Sequence, residues 1–73
     1  MAREIVEVPI TGRIISIDVK KGDNVNEGDT ICILESMKME NPIVAPVRGK
    51  IIDINIELDQ VVKTGDKLAV IEY

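Results

Sequence analysis

The chain has 73 residues, 45% hydrophobic and 30% charged, with net charge −4, no histidine, one cysteine and one aromatic residue, Tyr73. A chain of this length holds one domain, over residues 1–73, whose thin core buries only about 60% of the unfolded surface. The missing histidines and single cysteine exclude zinc sites and His-assisted nucleophilic catalysis, and the acidic balance with one aromatic excludes a basic, base-stacking nucleic-acid groove.

Taken in chain order, β-branched residues in period-two alternation predict strands over Arg3–Val8, Gly12–Val19, Asn24–Val25, Thr30–Ser36, Met39–Val44, Gly49–Ile56, Val61–Val62 and Lys67–Glu72. In the second, Ile15, Ile17 and Val19 share one face and Ser16, Asp18 and Lys20 the other; Ile52, Ile54 and Ile56 repeat the inward pattern in the sixth. Gly22-Asp23, Glu27-Gly28-Asp29 and Thr64-Gly65-Asp66 read as turns, since glycine supplies positive φ and aspartate caps its own turn. Cys32, between Ile31 and Ile33, reads as a small buried apolar residue. No stretch carries helical periodicity for ten residues, and no apolar run reaches the roughly 18 residues of a membrane span. A soluble, cytoplasmic protein without direct membrane insertion is expected.

The chain is also written twice. Displaced by 37 positions, residues 9–35 align without a gap on 46–72. Pro9/Pro46, Gly12/Gly49, Ile14/Ile51, Ile15/Ile52, Ile17/Ile54, Val25/Val62, Gly28/Gly65, Asp29/Asp66 and Glu35/Glu72 are identical. The expected fold is all-β, a flattened eight-stranded barrel or sandwich of two pseudo-two-fold-related four-stranded halves. Its expected core is Ile15, Ile17, Val19, Val25, Ile31, Ile33, Ile52, Ile54, Ile56, Val62, Leu68 and Val70. Under the same displacement Lys38 corresponds to Met1, and Met37-Lys38 maps just past Tyr73. The symmetry therefore predicts Lys38 at one pole and both termini at the other, a layout suited to a tethered carrier.

Between the repeats lies Glu35-Ser36-Met37-Lys38-Met39-Glu40-Asn41-Pro42, a predicted hairpin with Met37-Lys38 as its two-residue loop. It breaks local rules: such loops favour Asn-Gly because both central residues need positive φ. In this register Glu35 faces Glu40, a like-charge pair across the strands, and two methionines flank a lysine where a tip is ordinarily polar. A lysine on a turn is by itself only a solvated charge. Several broken rules at one spot of an otherwise self-consistent sequence point instead to function.

Glu35-Ser-Met-Lys-Met-Glu40 resembles the attachment motif of biotinyl domains, usually Glu-Ala-Met-Lys-Met. The likeness extends to Val19-Lys-Lys-Gly-Asp23, Glu27-Gly-Asp29, Ile43-Val-Ala-Pro46 with Gly49, and Gly65-Asp66 with Leu68, and so runs over residues 3–73; the motif departs only at Ser36. The resemblance implies the barrel-sandwich hybrid fold of the biotinyl/lipoyl family, with biotin bound covalently at Lys38 by a biotin–protein ligase. It implies that Met37 and Met39 are the flanking recognition residues and that Glu35 lies on the surface facing the ligase and partners. Lys20-Lys21-Gly22-Asp23 runs on without an insertion, which implies the type lacking a protruding thumb. Such a domain is a non-catalytic biotin carboxyl carrier. It serves a biotin carboxylase subunit or domain and a carboxyltransferase or decarboxylase subunit or domain. With no histidine to act as base, activation of the amine falls to the ligase. Two alternatives share the fold. Lipoyl domains usually carry Asp-Lys-Ala at the tip, and the adaptor modules of membrane-fusion proteins lack the lysine and carry a long helical hairpin.

Overall fold

The computed structural model describes residues 2–73. Its strands are β1 (Arg3–Glu7), β2 (Gly12–Ile17), β3 (Asn24–Val25), β4 (Thr30–Ser36), β5 (Met39–Val44), β6 (Gly49–Ile54), β7 (Val61–Val62) and β8 (Lys67–Glu72), with no helix among the described residues. They form two antiparallel four-stranded sheets in the orders β1-β8-β6-β3 and β5-β4-β2-β7. All eight expected strands are present. β1, β2 and β6 end one or two residues early, where the chain turns out of its ladder.

The 37-residue displacement carries β1, β8, β6 and β3 onto β5, β4, β2 and β7, so it exchanges the two sheets, each of which takes strands from both halves of the chain. The turns repeat as well. Gly28 N–H donates to Ala45 O at 2.8 Å, and Gly65 N–H to Val8 O at 2.8 Å. Asp29 and Asp66 each accept a backbone N–H through Oδ2, from Asn26 at 2.8 Å and Lys63 at 2.9 Å, as side chains that cap their own turns do. The duplication reaches further than sequence identity shows, because β1 and β5 share no identical residue yet bury the equivalent pairs Val6/Ile43 and Val8/Ala45.

The core corrects the expected inward faces. Ile14 and Ile51 are fully buried, whereas Ile15 and Ile52, expected inside, are only half-buried. The cause is a β-bulge. Ile14 pairs with Leu34 and the next paired residue is Ser16, leaving Ile15 as the extra residue; Ile51, Ile52 and Asp53 repeat this against β8. A bulge shifts the alternation by one, so residues on its two sides no longer follow one face. Related shifts at Thr30/Cys32 and Val6/Glu7 fall at equivalent positions, where Ile31 and Leu68 are the unpaired residues. As a result the consecutive Ile31-Cys32 and Leu68-Ala69 are all buried, with Leu34 and Ile71, while Ile33 is half-buried. Ile17, Val19 and Ile54 pack against the core from half-buried positions, and Val25, Ile31, Ile56, Val62, Leu68 and Val70 are buried as expected.

The glycines that begin β2 and β6 are fixed by close approach. A Cβ on Gly12 would strike the Glu35 carbonyl oxygen and the Leu34 side chain, and one on Gly49 the equivalent Glu72 oxygen and Ile71. The paired strands β2 and β4, and β6 and β8, approach so tightly there that only hydrogen fits.

The body measures 37 × 18 × 17 Å. β2 begins beside Glu35 near the β4–β5 loop, since Arg13 pairs with Glu35. The chain then runs to Asn24, which pairs with Lys50, itself paired with Glu72. From Gly12 to the turn at Lys20–Asp23, about eight extended residues cover roughly 26 Å, most of the long axis, and that turn bonds β6 through Gly22 N–H to Ile51 O at 2.8 Å. The β4–β5 loop therefore lies at the pole opposite Ala2 and Tyr73, whose backbones exchange hydrogen bonds of 2.9 and 2.8 Å. Met1, the equivalent of Lys38, lies outside the described residues.

Candidate functional site

The β4–β5 hairpin is built as its register predicts. Ser36 pairs with Met39, Glu35 with Glu40 and Leu34 with Asn41. Met37 has φ 54° and Lys38 φ 63°, so two non-glycine residues in succession take the left-handed conformation that a two-residue loop of this twist demands. Elsewhere the chain answers such demands with glycine: Gly22, Gly28 and Gly65 have φ between 91° and 99°. Asp59, the equivalent of Gly22, is the remaining non-glycine residue of positive φ among those described, at 68°.

Four sequence-predicted residues, Glu35, Met37, Lys38 and Met39, are brought together at this tip. Lys38 is exposed, and its ammonium makes no hydrogen bond or ion pair to any described residue. Met37 is 91% exposed and Met39 65%, so neither methionine fills a gap in the core. Leu34 and Ile43, on the strands below, are buried and anchor the hairpin's base. The tip is an apolar-flanked amine on a paired two-stranded stem.

The Glu35–Glu40 repulsion is offset by Arg13, whose guanidinium lies 3.4 Å from Glu35 Oε1 across the β2–β4 pair. At this exposure the ion pair contributes little stability but orients the carboxylate. Asn41 Nδ2 donates to the carbonyls of Met39 at 3.2 Å and Leu34 at 3.4 Å, fastening the start of β5. Neither Arg13 nor Asn41 stands out in the sequence, because one is separated from the motif by 22 residues and the other acts only through main-chain carbonyls.

Cys32 takes no part. Burial, aided by the Asp18 carboxylate, pushes its thiol up to about 11, which keeps it protonated and unreactive at neutral pH. No group of three or more potential metal-ligating side chains occurs among the described residues.

An all-β body that presents an exposed lysine at its pole, in a turn that disfavours lysine, has the layout of a carrier scaffold. An exposed amine with no protein contact is what a covalently tethered group needs, so the residues present fit such a group. The sequence model of the biotin/lipoyl attachment family, described as "Biotin-requiring enzyme", matches residues 4–71. The chain belongs to this family, and its cofactor is biotin.

The gamma subunit of glutaconyl-CoA decarboxylase from Acidaminococcus fermentans is 51% identical over 39 residues, 53% of this chain and 27% of that protein. The biotinylated protein TB7.3 homolog of Mycolicibacterium smegmatis is 45% identical over 42 residues, 58% of this chain and 59% of that one. Among solved structures, the urea carboxylase of Kluyveromyces lactis superposes with TM-score 0.91 and 33% identity over 99% of this chain and 6% of its own. The matched segments thus span about a quarter of the decarboxylase subunit and three-fifths of the Mycolicibacterium protein.

Proposed function

We propose that the domain is a biotin carboxyl carrier, acylated on Lys38 by a biotin–protein ligase and serving a biotin carboxylase site and a carboxyltransferase or decarboxylase site in turn. The observation that carries this is the free Lys38 amine between exposed Met37 and Met39 at the pole of the body. In the acylation, Lys38 Nζ bonds to the carboxyl carbon of an activated biotinyl group, the activating group leaves, and the amine gives up a proton. The ligase supplies the base for that proton, since no described side chain of this chain contacts the Lys38 ammonium. Met37 and Met39 offer the ligase apolar contact around the amine, and Glu35, oriented by Arg13, offers it a charged one.

When bound, biotin accepts a carboxyl group at a ureido nitrogen and yields it at a second site. The chain's part is positional. The stiff hairpin fixes one end of a long flexible arm, so the cofactor visits both sites as an intramolecular ligand at an effective concentration on the order of mM.

Lipoate is the competing cargo, and the Met-Lys-Met tip favours biotin over it. Intact-mass measurement after expression with an active ligase tests the assignment. A biotin-sized increment that disappears in Lys38→Arg supports it, and a lipoyl-sized increment, or labelling that survives the substitution, overturns it.

A further inference from the structure

The duplication supplies an internal reference: the residues flanking the Met37-Lys38 loop have counterparts at the opposite pole, in the same backbone setting but away from the working group. Among the counterparts that differ in character, two outside the hairpin put an apolar side chain on the surface beside the tip. Leu58 and Val61, 60% and 67% exposed, stand where the first half has Lys21 and Asn24. The second half has exchanged a charged and a polar surface residue for apolar ones, and Met39 likewise stands where the other pole has Ala2.

Both residues lie on the face of the lysine tip. Val61 pairs with Arg13, Arg13 with Glu35 and Glu35 with Glu40, one row across the sheet whose side chains share its outer face. Leu58 sits in the turn before β7, fastened to β2 by Asp59 N–H to Ile14 O at 2.7 Å and Ile14 N–H to Gln60 O at 2.9 Å. Its counterpart Lys21 borders an outer-face hollow with Arg3, Ile52 and Glu72, whose own counterparts are Glu40, Ile15 and Glu35. Leu58 therefore flanks the Glu35–Glu40 row on that same face. Neither apolar side chain contributes to the core, and their counterparts show that the backbone there accepts Lys and Asn.

We infer that Leu58 and Val61 extend the Met37–Met39 tip into an apolar docking step for the biotin–protein ligase, a reading that rests on the acylation of Lys38. The ligase is the occupant because it alone must reach the bare amine, one lysine stem from the backbone. Later partners meet the cofactor at the end of a longer arm. Val61 is two strands from Glu35, about 10 Å at sheet spacing. An interface of standard size covers about 800 Å² per partner, a disc about 16 Å in radius. A ligase seated over Lys38 covers this step, whose exposed leucine and valine have no role in the fold.

The test exchanges each residue for its own counterpart. Leu58→Lys/Val61→Asn is expected to keep the wild-type Tm within a few degrees, as exposed substitutions do, and to raise the ligase KM for the carrier about tenfold with kcat unchanged. The mirror variant Lys21→Leu/Asn24→Val, which builds the step at the wrong pole, is expected to leave ligase kinetics unaltered. An unchanged KM in the first variant, or equal effects in both, overturns the inference. So does an unchanged ligase KM accompanied by a raised KM for the carboxylating enzyme, which would assign the step to that partner. Failure of wild-type protein to accept biotin at Lys38 would instead remove the underlying function, so the two failures are distinguishable.

Discussion

The tip of the β4–β5 hairpin should be a place where stability is given up for presentation, and its cost can be measured. Met37 and Lys38 have φ of 54° and 63°, and the left-handed conformation costs an L-residue with a Cβ roughly 1–2 kcal/mol. Met37→Asn/Lys38→Gly installs the pair that such loops favour. Part of the gain is lost because glycine also frees the unfolded chain, by about 0.5–1 kcal/mol. Little packing is lost, because the Met37 side chain is almost wholly in solvent and Lys38 is exposed. The net expectation is a stabilisation of about 1–2 kcal/mol. For a domain of this size each kcal/mol moves Tm by about 4–8 °C, so thermal unfolding followed by circular dichroism should shift upward by about 5–15 °C. Urea unfolding should show a higher midpoint at unchanged slope. Lys38→Arg, which keeps the conformational cost but removes the acceptor amine, should unfold with the wild type. A variant no more stable than wild type would refute the argument that the loop is held against its own preference.

Three further outcomes follow from the same geometry. Gly28→Val forces a β-branched residue to φ +91° where its Cβ would meet nothing within 4 Å, so the loss is purely conformational, about 1–3 kcal/mol, and should appear as a lowered Tm. Gly49→Ala should destabilise for the opposite reason, with its Cβ driven into the Glu72 carbonyl and to 2.7 Å from Ile71. Overpacking of this kind costs about 1–3 kcal/mol, and a Tm equal to wild type would show that strands β6 and β8 can part there. For Cys32 the folded thiol sits at about 11, against 9.0 as its ordinary value, so the native state holds its proton where the unfolded chain releases it. Stability from this source is complete below about pH 9 and declines as pH rises towards 11, by about 2–3 kcal/mol at most. Cys32→Ala, which installs the residue found at the equivalent position 69, should be less sensitive to alkali than wild type, and parallel stability curves from pH 8 to 11 would exclude the mechanism.

What was legible in the sequence follows from the range of each signal. Alternation, turn chemistry and the repeat are local or comparative, and they sufficed for eight strands, for the turns at Gly28 and Gly65 and for the Ser36–Met39 and Glu35–Glu40 register. The bulges at Ile15, Ile31, Ile52 and Leu68 were not legible. A strand of consecutive isoleucines, Ile14-Ile15 or Ile51-Ile52, offers an apolar residue to either face, so nothing in the pattern says which one the bulge turns inward. At the site, Lys38 and its methionines were visible because they break rules within a few residues. Arg13 gave no local sign, because its meaning comes from a strand pairing with Glu35. Leu58 and Val61 could have been found by asking where the two repeats differ in polarity rather than where they agree.

A small domain of thin core can present its hairpin because both ends of the body close in the same way. The pairing that closes the hairpin at Ser36–Met39 recurs at the other pole between Tyr73 and Ala2, hydrogen bond for hydrogen bond across separate strands. The framework thus closes both poles by the same ladder, and only one closure carries the continuous Met37-Lys38 loop. Because the fold needs the ladder and not the loop's identity, the two loop residues are free to be chosen for chemistry, at a local conformational cost that the doubled framework absorbs. Stiffness of the base then matters for function. Under the proposed carrier role, each degree of freedom left in the hairpin would spread the cofactor over volume away from the two sites, lowering the effective concentration that makes a tethered carrier faster than free biotin.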